Sequence, residues 1–258
     1  MEALQGGREN AIYRSNEKVY RPKGAWSETV QGLLAHIAQL GFVGAPHPFG
    51  FDADGNEVLS YVEGDVANYP LQGNIASKTA LVSAARLLRQ YHDASQSFIT
   101  SNTDPVWMLP TREPAEVVCH GDYAPYNVVL NGEQTVGIID FDTAHPAPRS
   151  WDLAYSLYCW APFKTNEFDA MGDIVSQSLR AKQFCDAYGF AISERSGLVE
   201  LMIERLQALV DFMRDQAAQG HAGFIENIND GHHLAYLADI DYLRTHESYI
   251  TARLVGDE

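Results

Sequence analysis

From residue 26 to 40 the apolar side chains Leu33, Leu34, Ile37 and Leu40 recur at helical spacing and Gly41 follows, so the pattern predicts an amphipathic helix. Upstream, "NAIYR" and "KVYRP" are short runs of β-formers divided by "SNE", which predicts a hairpin entered through Gly6 and Gly7. Downstream, "PHPFGFDADGNEVLSYVEG" reads as a second hairpin, turned by "DADGN" and left through Gly64. Beyond Gly64 the period changes to that of helices. Leu81, Ala84, Ala85, Leu88, Tyr91 and His92 form one stripe over residues 75–95. Further helices are expected near residues 152–160, 167–188, 194–218 and 233–248, the third burying Leu198, Leu201, Met202, Leu206, Leu209 and Met213. The segment "SQSFITSNTDPVWMLPTREP" carries three prolines and is expected to be irregular. The fold class that follows is α+β, with a small β-rich lobe over residues 1–63 and a larger, mainly helical lobe over residues 64–258.

Composition narrows the partners. With 258 residues and 46% hydrophobic content the chain can bury a sizeable core. Its 18 basic and 34 acidic side chains give a net charge of −16, which repels phosphate backbones and anionic membranes and favours cationic or metal-chelated partners. Neither nucleic acid nor membrane is therefore an expected partner. Cys119, Cys159 and Cys185 are odd in number and lack C-x-x-C spacing, so reduced thiols are expected rather than disulfides or a zinc site. The first ten residues show no basic and apolar leader, and no run reaches the roughly 18 apolar residues of a membrane span, which together lead to an expectation of a cytoplasmic protein.

The chemistry concentrates at "HGDYAPYNVVL", residues 120–130, and "VGIIDFD", residues 136–142. The β-type runs flank "NGEQ" and should pair as a hairpin. The midpoint between Asn127 and Asp140 falls inside that turn, which predicts that they face each other across the ladder, about 5 Å apart. Asp122 lies in the loop leading in, and Asp142, two residues past Asp140, can point to the same side. Carboxylates gathered in this way repel unless a cation sits among them, and hard oxygen donors select Mg²⁺. Magnesium held by one or two protein oxygens takes substrate phosphates for the rest of its shell, so phosphoryl transfer is the expected chemistry, with Asp122 suited to accept a hydroxyl proton.

"HGDYAPYN" followed by "IIDFD", and "RSWDLAY" beyond it, resemble the catalytic and metal-binding motifs of the aminoglycoside phosphotransferase and choline kinase-like family, whose fold is protein kinase-like. The resemblance implies that Asp122 is the catalytic base, that Asn127 and Asp140 bind Mg²⁺, and that Asp142 is a second ligand or a supporting acceptor. It also places Arg21 of "KVYRP" where kinases carry a phosphate-pairing Lys, Lys18 being on the other strand face, with Glu28 and Gln31 as alternative partners for that cation. Gly6 and Gly7 take the place of a loop over the phosphates, and "EVLSYVEG" that of the hinge, where backbone groups of Ser60, Tyr61 and Val62 would bind the adenine of ATP or the base of GTP. His120 is expected to support the loop, His92 to be a satisfied core histidine, and Asp152 to cap a helix or anchor the loop. Glu200, Glu204, Asp211, Asp239 and Asp241 are expected mostly on a solvated face. A small-molecule kinase acting on a hydroxyl is thus the leading class. A degraded nucleotide-binding protein of the same fold is its rival, and a two-metal phosphoesterase lacks the required ligands. The acidic balance favours an aminoglycoside-like, cationic acceptor. Choline, ethanolamine or homoserine remain alternatives, and oligomeric state is unread.

Overall fold

The structure, a computed structural model, describes residues 2–4, 12–101 and 104–256; Gly6 and Gly7 lie outside these. Strands β1 (Glu2–Ala3), β2 (Tyr13–Ser15), β3 (Lys18–Arg21), β4 (Pro48–Phe51) and β5 (Glu57–Ser60) form an antiparallel sheet in the order β1-β2-β3-β5-β4. Both expected hairpins are present, β2 to β3 and β4 to β5. Helix α1 (Ser27–Gln39) buries Leu33, Leu34 and Ile37 beside the sheet, as its spacing predicts, together with Val30, whereas Leu40 falls past the helix end and is exposed. Gly64, at φ +141°, is held so close to Leu130 that a Cβ would meet its carbonyl oxygen at 2.3 Å. That approach lets Asp65 and Leu130 exchange backbone hydrogen bonds of 2.9 and 2.8 Å, tying the chain that leaves the sheet to the central hairpin.

The rest is mainly helical: α2 (Lys78–Ser95), α3 (Phe98–Ser101), α4 (Arg149–Trp160), α5 (Ile174–Tyr188), α6 (Leu198–Ala218), α7 (Ala222–Asn229) and α8 (His232–Val255). Among them lie the two-stranded sheets β6 (Val117–Cys119) with β9 (His145–Ala147), and β7 (Val128–Asn131) with β8 (Gln134–Ile138). α5 starts later than its apolar pattern suggests because Asp173 caps it, accepting from the Ser176 N–H. The proline-bearing segment holds one helical turn, α3, ahead of its first proline; the prolines exclude helix only where they stand. α7 and the β6–β9 pair are too short to leave a period. A continuous core runs from Leu33 and Ile37 of α1 through Leu88 and Tyr91 of α2 to Trp160, Phe184 and Leu243. No helix among the described residues is long and apolar enough to cross a membrane.

Candidate functional site

The loop between β6 and β7 hangs from one buried carboxylate. Asp152, in the first turn of α4, accepts hydrogen bonds from the backbone N–H groups of His120 (2.7 Å) and Gly121 (3.0 Å) and from His92 Nε2 (3.0 Å). Burial works against its charge, but His92 and the His120 N–H prevail and hold its pKa down at about 2. Burial keeps His92 below the usual histidine range, so its Nε2–H donates to Asp152 while Nδ1 accepts from the Tyr188 hydroxyl at 2.7 Å. Cys119 completes a cluster with His92 and Asp152, but the histidine and the carboxylate are already committed to these bonds. Gly121, at φ +82°, needs to be glycine: a Cβ would come within 2.3 Å of the Thr143 carbonyl oxygen. The His120 ring donates from Nε2 to the Ile139 carbonyl (3.0 Å) and accepts at Nδ1 from the Asp122 N–H (3.3 Å), bracing the loop against the opposite strand. The sequence expectations for His92, His120 and Asp152 as supports agree with this geometry.

Asp122 stands at the end of that scaffold. Its Oδ1 accepts from the Tyr126 hydroxyl (2.8 Å) and its Oδ2 from Asn127 Nδ2 (2.9 Å), which also donates to the Asp122 carbonyl. Burial raises the Asp122 pKa above the ordinary aspartate value, against the Tyr126 hydrogen bond, which lowers it. Because the Asn127 amide nitrogen is turned to Asp122, its oxygen is the atom left for a cation.

The hairpin register differs from the sequence expectation by one residue. Val128 pairs with Ile138, and the Ile139 N–H donates to the Asn127 carbonyl at 2.9 Å, so Ile139, not Asp140, lies opposite Asn127. The turn is centred between Gly132 and Glu133, nearer to Asn127 than to Asp140, and an irregularity between Val129 and Leu130, which gives β8 one extra residue, makes up only part of the difference. Asp140 still reaches the site because its backbone turns left-handed (φ 63°, ψ 69°), which redirects the chain into a short 3₁₀ turn carrying Asp142.

Asp140 and Asp142 meet Arg21 of β3. Its Nη1 lies 3.2 Å from Asp140, its Nη2 contacts Asp142, and its Nε donates at 2.6 Å to Glu57, the cross-strand partner on β5. Glu57 is fully buried and also accepts from Gln31 Nε2 at 3.0 Å. Neither helix candidate thus pairs directly with Arg21: Gln31 acts through Glu57, and Glu28 is an exposed partner of Lys23. Burial raises the Asp142 pKa, and Arg21 counters it. An all-oxygen donor set whose counter-charge is one arginine fits a divalent cation.

At the expected hinge two N–H groups are occupied. Ser60 donates to the His47 carbonyl (2.8 Å) and Tyr61 to the Glu17 carbonyl (2.8 Å). Val62 packs on Gly137 of β8, where a Cβ would lie 2.6 Å from its methyl group.

A cavity of about 530 Å³ opens on the other side of Asp122, toward α6, α7 and α8. Tyr126, Trp151, Tyr155 and Tyr236 supply aromatic wall, while Asp211, Asp215, Arg112 and Arg205 supply charge. Arg205 was not singled out from sequence; it is buried, its Nη2 donates to the Gly121 carbonyl, and its guanidinium lies 4.5 Å from the Tyr155 ring centroid. One signal pointed to it: position 205 interrupts an apolar helix stripe one turn after Met202. His145 also lines the cavity, with burial lowering its pKa to about 4. Among the acids expected on a solvated face, Asp239 is the exception: it is buried and accepts from Tyr158 and Thr165.

The model of a phosphotransferase enzyme family matches residues 103–188, the span of this loop and hairpin. A trifolitoxin immunity protein from Rhizobium leguminosarum bv. trifolii is 30% identical over 211 residues, 78% of each chain. Among solved structures, the choline kinase LicA from Streptococcus pneumoniae aligns with TM-score 0.58 at 15% identity, covering 95% of this chain and 92% of that one. A choline/ethanolamine kinase family protein from Mesorhizobium loti gives 0.57 at 16%, covering 95% and 88%, and the GDP complex of aminoglycoside 2'-phosphotransferase-IIIa gives 0.53 at 15%, covering 96% and 92%. At these identities the likeness is one of fold, a small sheet lobe on a helical body.

Proposed function

The chain belongs to the phosphotransferase enzyme family, and from that premise we propose that it is a small-molecule kinase moving the γ-phosphoryl group of ATP or GTP to an acceptor hydroxyl. The observation that carries the reading is the Asp122 carboxylate, fixed at both oxygens by Tyr126 and Asn127 on the wall of the cavity and within electrostatic reach of Asp140. Asp122 takes the hydroxyl proton as the oxygen bonds to the γ-phosphorus and the bond from that phosphorus to the β–γ bridging oxygen breaks, leaving ADP or GDP and a phosphate ester. Asn127 and Asp140 would hold Mg²⁺, with Asp142 as a further ligand or as the acceptor that keeps Arg21 in place. When bound, the metal supplies positive charge to the β- and γ-phosphate oxygens. Arg21 would contact phosphate in exchange for its present carboxylate partners. The base is assigned to the hinge at Ser60, Tyr61 and Val62. With two of those N–H groups bonded, carbonyl oxygens and the Val62 N–H are the contacts left.

Residues 1–63 would form the nucleotide lobe and residues 64–258 the catalytic and acceptor lobe, working in the cytoplasm, where three buried, unpaired cysteines stay reduced. The relative named for toxin immunity supports a toxic acceptor of the kind aminoglycoside phosphotransferases modify, and a choline-, ethanolamine- or homoserine-kinase-like acceptor is the alternative. The test is phosphoryl transfer from Mg·ATP and Mg·GTP by the purified chain to a panel of hydroxylated acceptors. Asp122→Asn should lower turnover about 10²- to 10⁴-fold with nucleotide affinity kept, and a fully active variant sinks the base assignment. Asp140→Ala should abolish metal-assisted nucleotide binding; unchanged Mg·ATP affinity by calorimetry rejects its ligand role.

A further inference from the structure

The chain carries a net charge of −16, yet the cavity wall next to Asp122 presents two arginines side by side. The guanidinium carbon of Arg112 lies 3.7 Å from the Trp151 ring centroid and that of Arg205 lies 5.5 Å from the same centroid. Neither has a carboxylate within 4.0 Å among the described residues. The acid nearest in effect, Glu204, acts on Arg112 only at a distance. Arg205 spends its Nη2 on the Gly121 carbonyl, leaving Nη1 without a partner among the described residues and Nε buried and unbonded. The Arg112 side chain makes no hydrogen bond among the described residues, only its stack on Trp151.

Two guanidinium groups facing one cavity repel each other, and burial together with Arg205 disfavours the charged form of Arg112. Their planar forks match a carboxylate, and the aromatic ring beneath them excludes water from one side, which strengthens such a pair. Asp122 is not that anion: Arg205 acts on it through space, but neither arginine pairs with its carboxylate within 4.0 Å. We propose that Arg112 and Arg205 form an anion subsite, and that the acceptor is a hydroxylated carboxylic acid whose carboxylate docks between them while its hydroxyl reaches Asp122. The inference rests on the kinase reading for the hydroxyl, and it puts an anionic group where net charge suggested a cationic acceptor: an ammonium group between the two guanidinium groups would face two like charges, Asp211 and Asp215 lying elsewhere on the wall of the same cavity.

The probes are 4-(hydroxymethyl)benzoate and its neutral isostere 4-(hydroxymethyl)benzamide, titrated into the full chain with Mg·ADP present and read by calorimetry. The benzoate should bind at least about tenfold tighter than the benzamide. Arg112→Gln, at a half-buried position, should remove that difference while leaving benzamide and Mg·ADP affinities unchanged, and Arg112→Lys should restore part of it. Equal binding of the two probes, no binding of either, or an equal loss of both in Arg112→Gln overturns the subsite. If Arg112→Gln slows transfer to neutral acceptors as much as to acids, the arginines serve the transferred phosphoryl group and the inference fails. Turnover confined to neutral or cationic acceptors, with no acid preference, also overturns it while the kinase function stands. Acid-selective binding without any nucleotide turnover leaves the subsite and removes the kinase.

Discussion

At the start of the β7–β8 hairpin Asp122 is held by a tyrosine hydroxyl, an amide and a loop hung on buried Asp152, whereas at its end Asp140 and Asp142 are held by one arginine reaching over from β3. The first arrangement rests on buried Asn127, His120 and Asp152 beneath a half-buried Asp122, and its bonds run mostly to backbone and neutral groups. The second is ionic, and Asp140 keeps 47% of its side-chain surface exposed. On the proposed function, with Asp122 as proton acceptor and Asp140 and Asp142 at the cation, the contrast separates what must not move from what must exchange partners. A proton acceptor works only at a fixed distance from the hydroxyl, so its support is built into the fold. A cation site needs ligands that can leave their resting counter-charge, so its support is a charge pair in contact with water, worth little by itself.

The largest break of this contrast is Asp152→Ala. It removes the acceptor for two backbone N–H groups and His92 at once, and we expect a loss of roughly 3–5 kcal/mol in urea unfolding, with activity lost wherever the loop is released. Acid should mimic it in part. The folded pKa of about 2 lies below the unfolded value of about 3.9, so this carboxylate contributes stability above pH 4 that is lost as pH falls toward 2. The pH scan of unfolding free energy should be flatter in that window for Asp152→Asn than for the parent. Parallel curves would show that Asp152 is not the anchor.

The two regions also differed in how far the sequence announced them. The gathering of Asp122, Asn127 and Asp140 at one hairpin was legible because local spacing governs it, the support by His92 was legible from its apolar stripe, and that by His120 from the motif resemblance. The register missed by one because the turn closes between Gly132 and Glu133, one residue earlier on β8 than the sequence spacing suggests even after a bulge adds a residue to that strand. Glu57 was invisible as Arg21's partner because the pairing of β3 with β5 joins strands from separate hairpins, and no local pattern encodes which strands become neighbours. Arg205 was hidden by its own helix, where a buried arginine reads as a fault in an apolar stripe until the loop it supports is brought alongside.

A smaller effect tests the ionic half. Arg21→Lys keeps a cation for Glu57 but cannot span three carboxylates as the guanidinium does. Titration with Mg²⁺ alone should show affinity raised a few-fold, because Asp140 and Asp142 lose a competitor, while Mg·ATP affinity falls about tenfold with the lost phosphate contact. Affinities moving in the same direction would mean that Arg21 does not trade carboxylates for phosphate.

The smallest change is the most pointed. Asp140 occupies the left-handed region, where an L residue costs roughly 1–2 kcal/mol, Asp being among the less penalised, and glycine costs little. Asp140→Gly relieves that conformation and the repulsion from Asp142, and gives up only a half-exposed ion pair. It should therefore stabilise the metal-free chain by about 1 kcal/mol, a rise of roughly 2–4 °C in Tm, while the benefit that Mg·ATP brings to the parent's Tm disappears. Should the variant melt lower than the parent without ligand, the turn is held by the Asp140 side chain and the corner is as built-in as the loop. Should it melt higher yet keep its response to Mg·ATP, the strain at Asp140 serves something other than the cation.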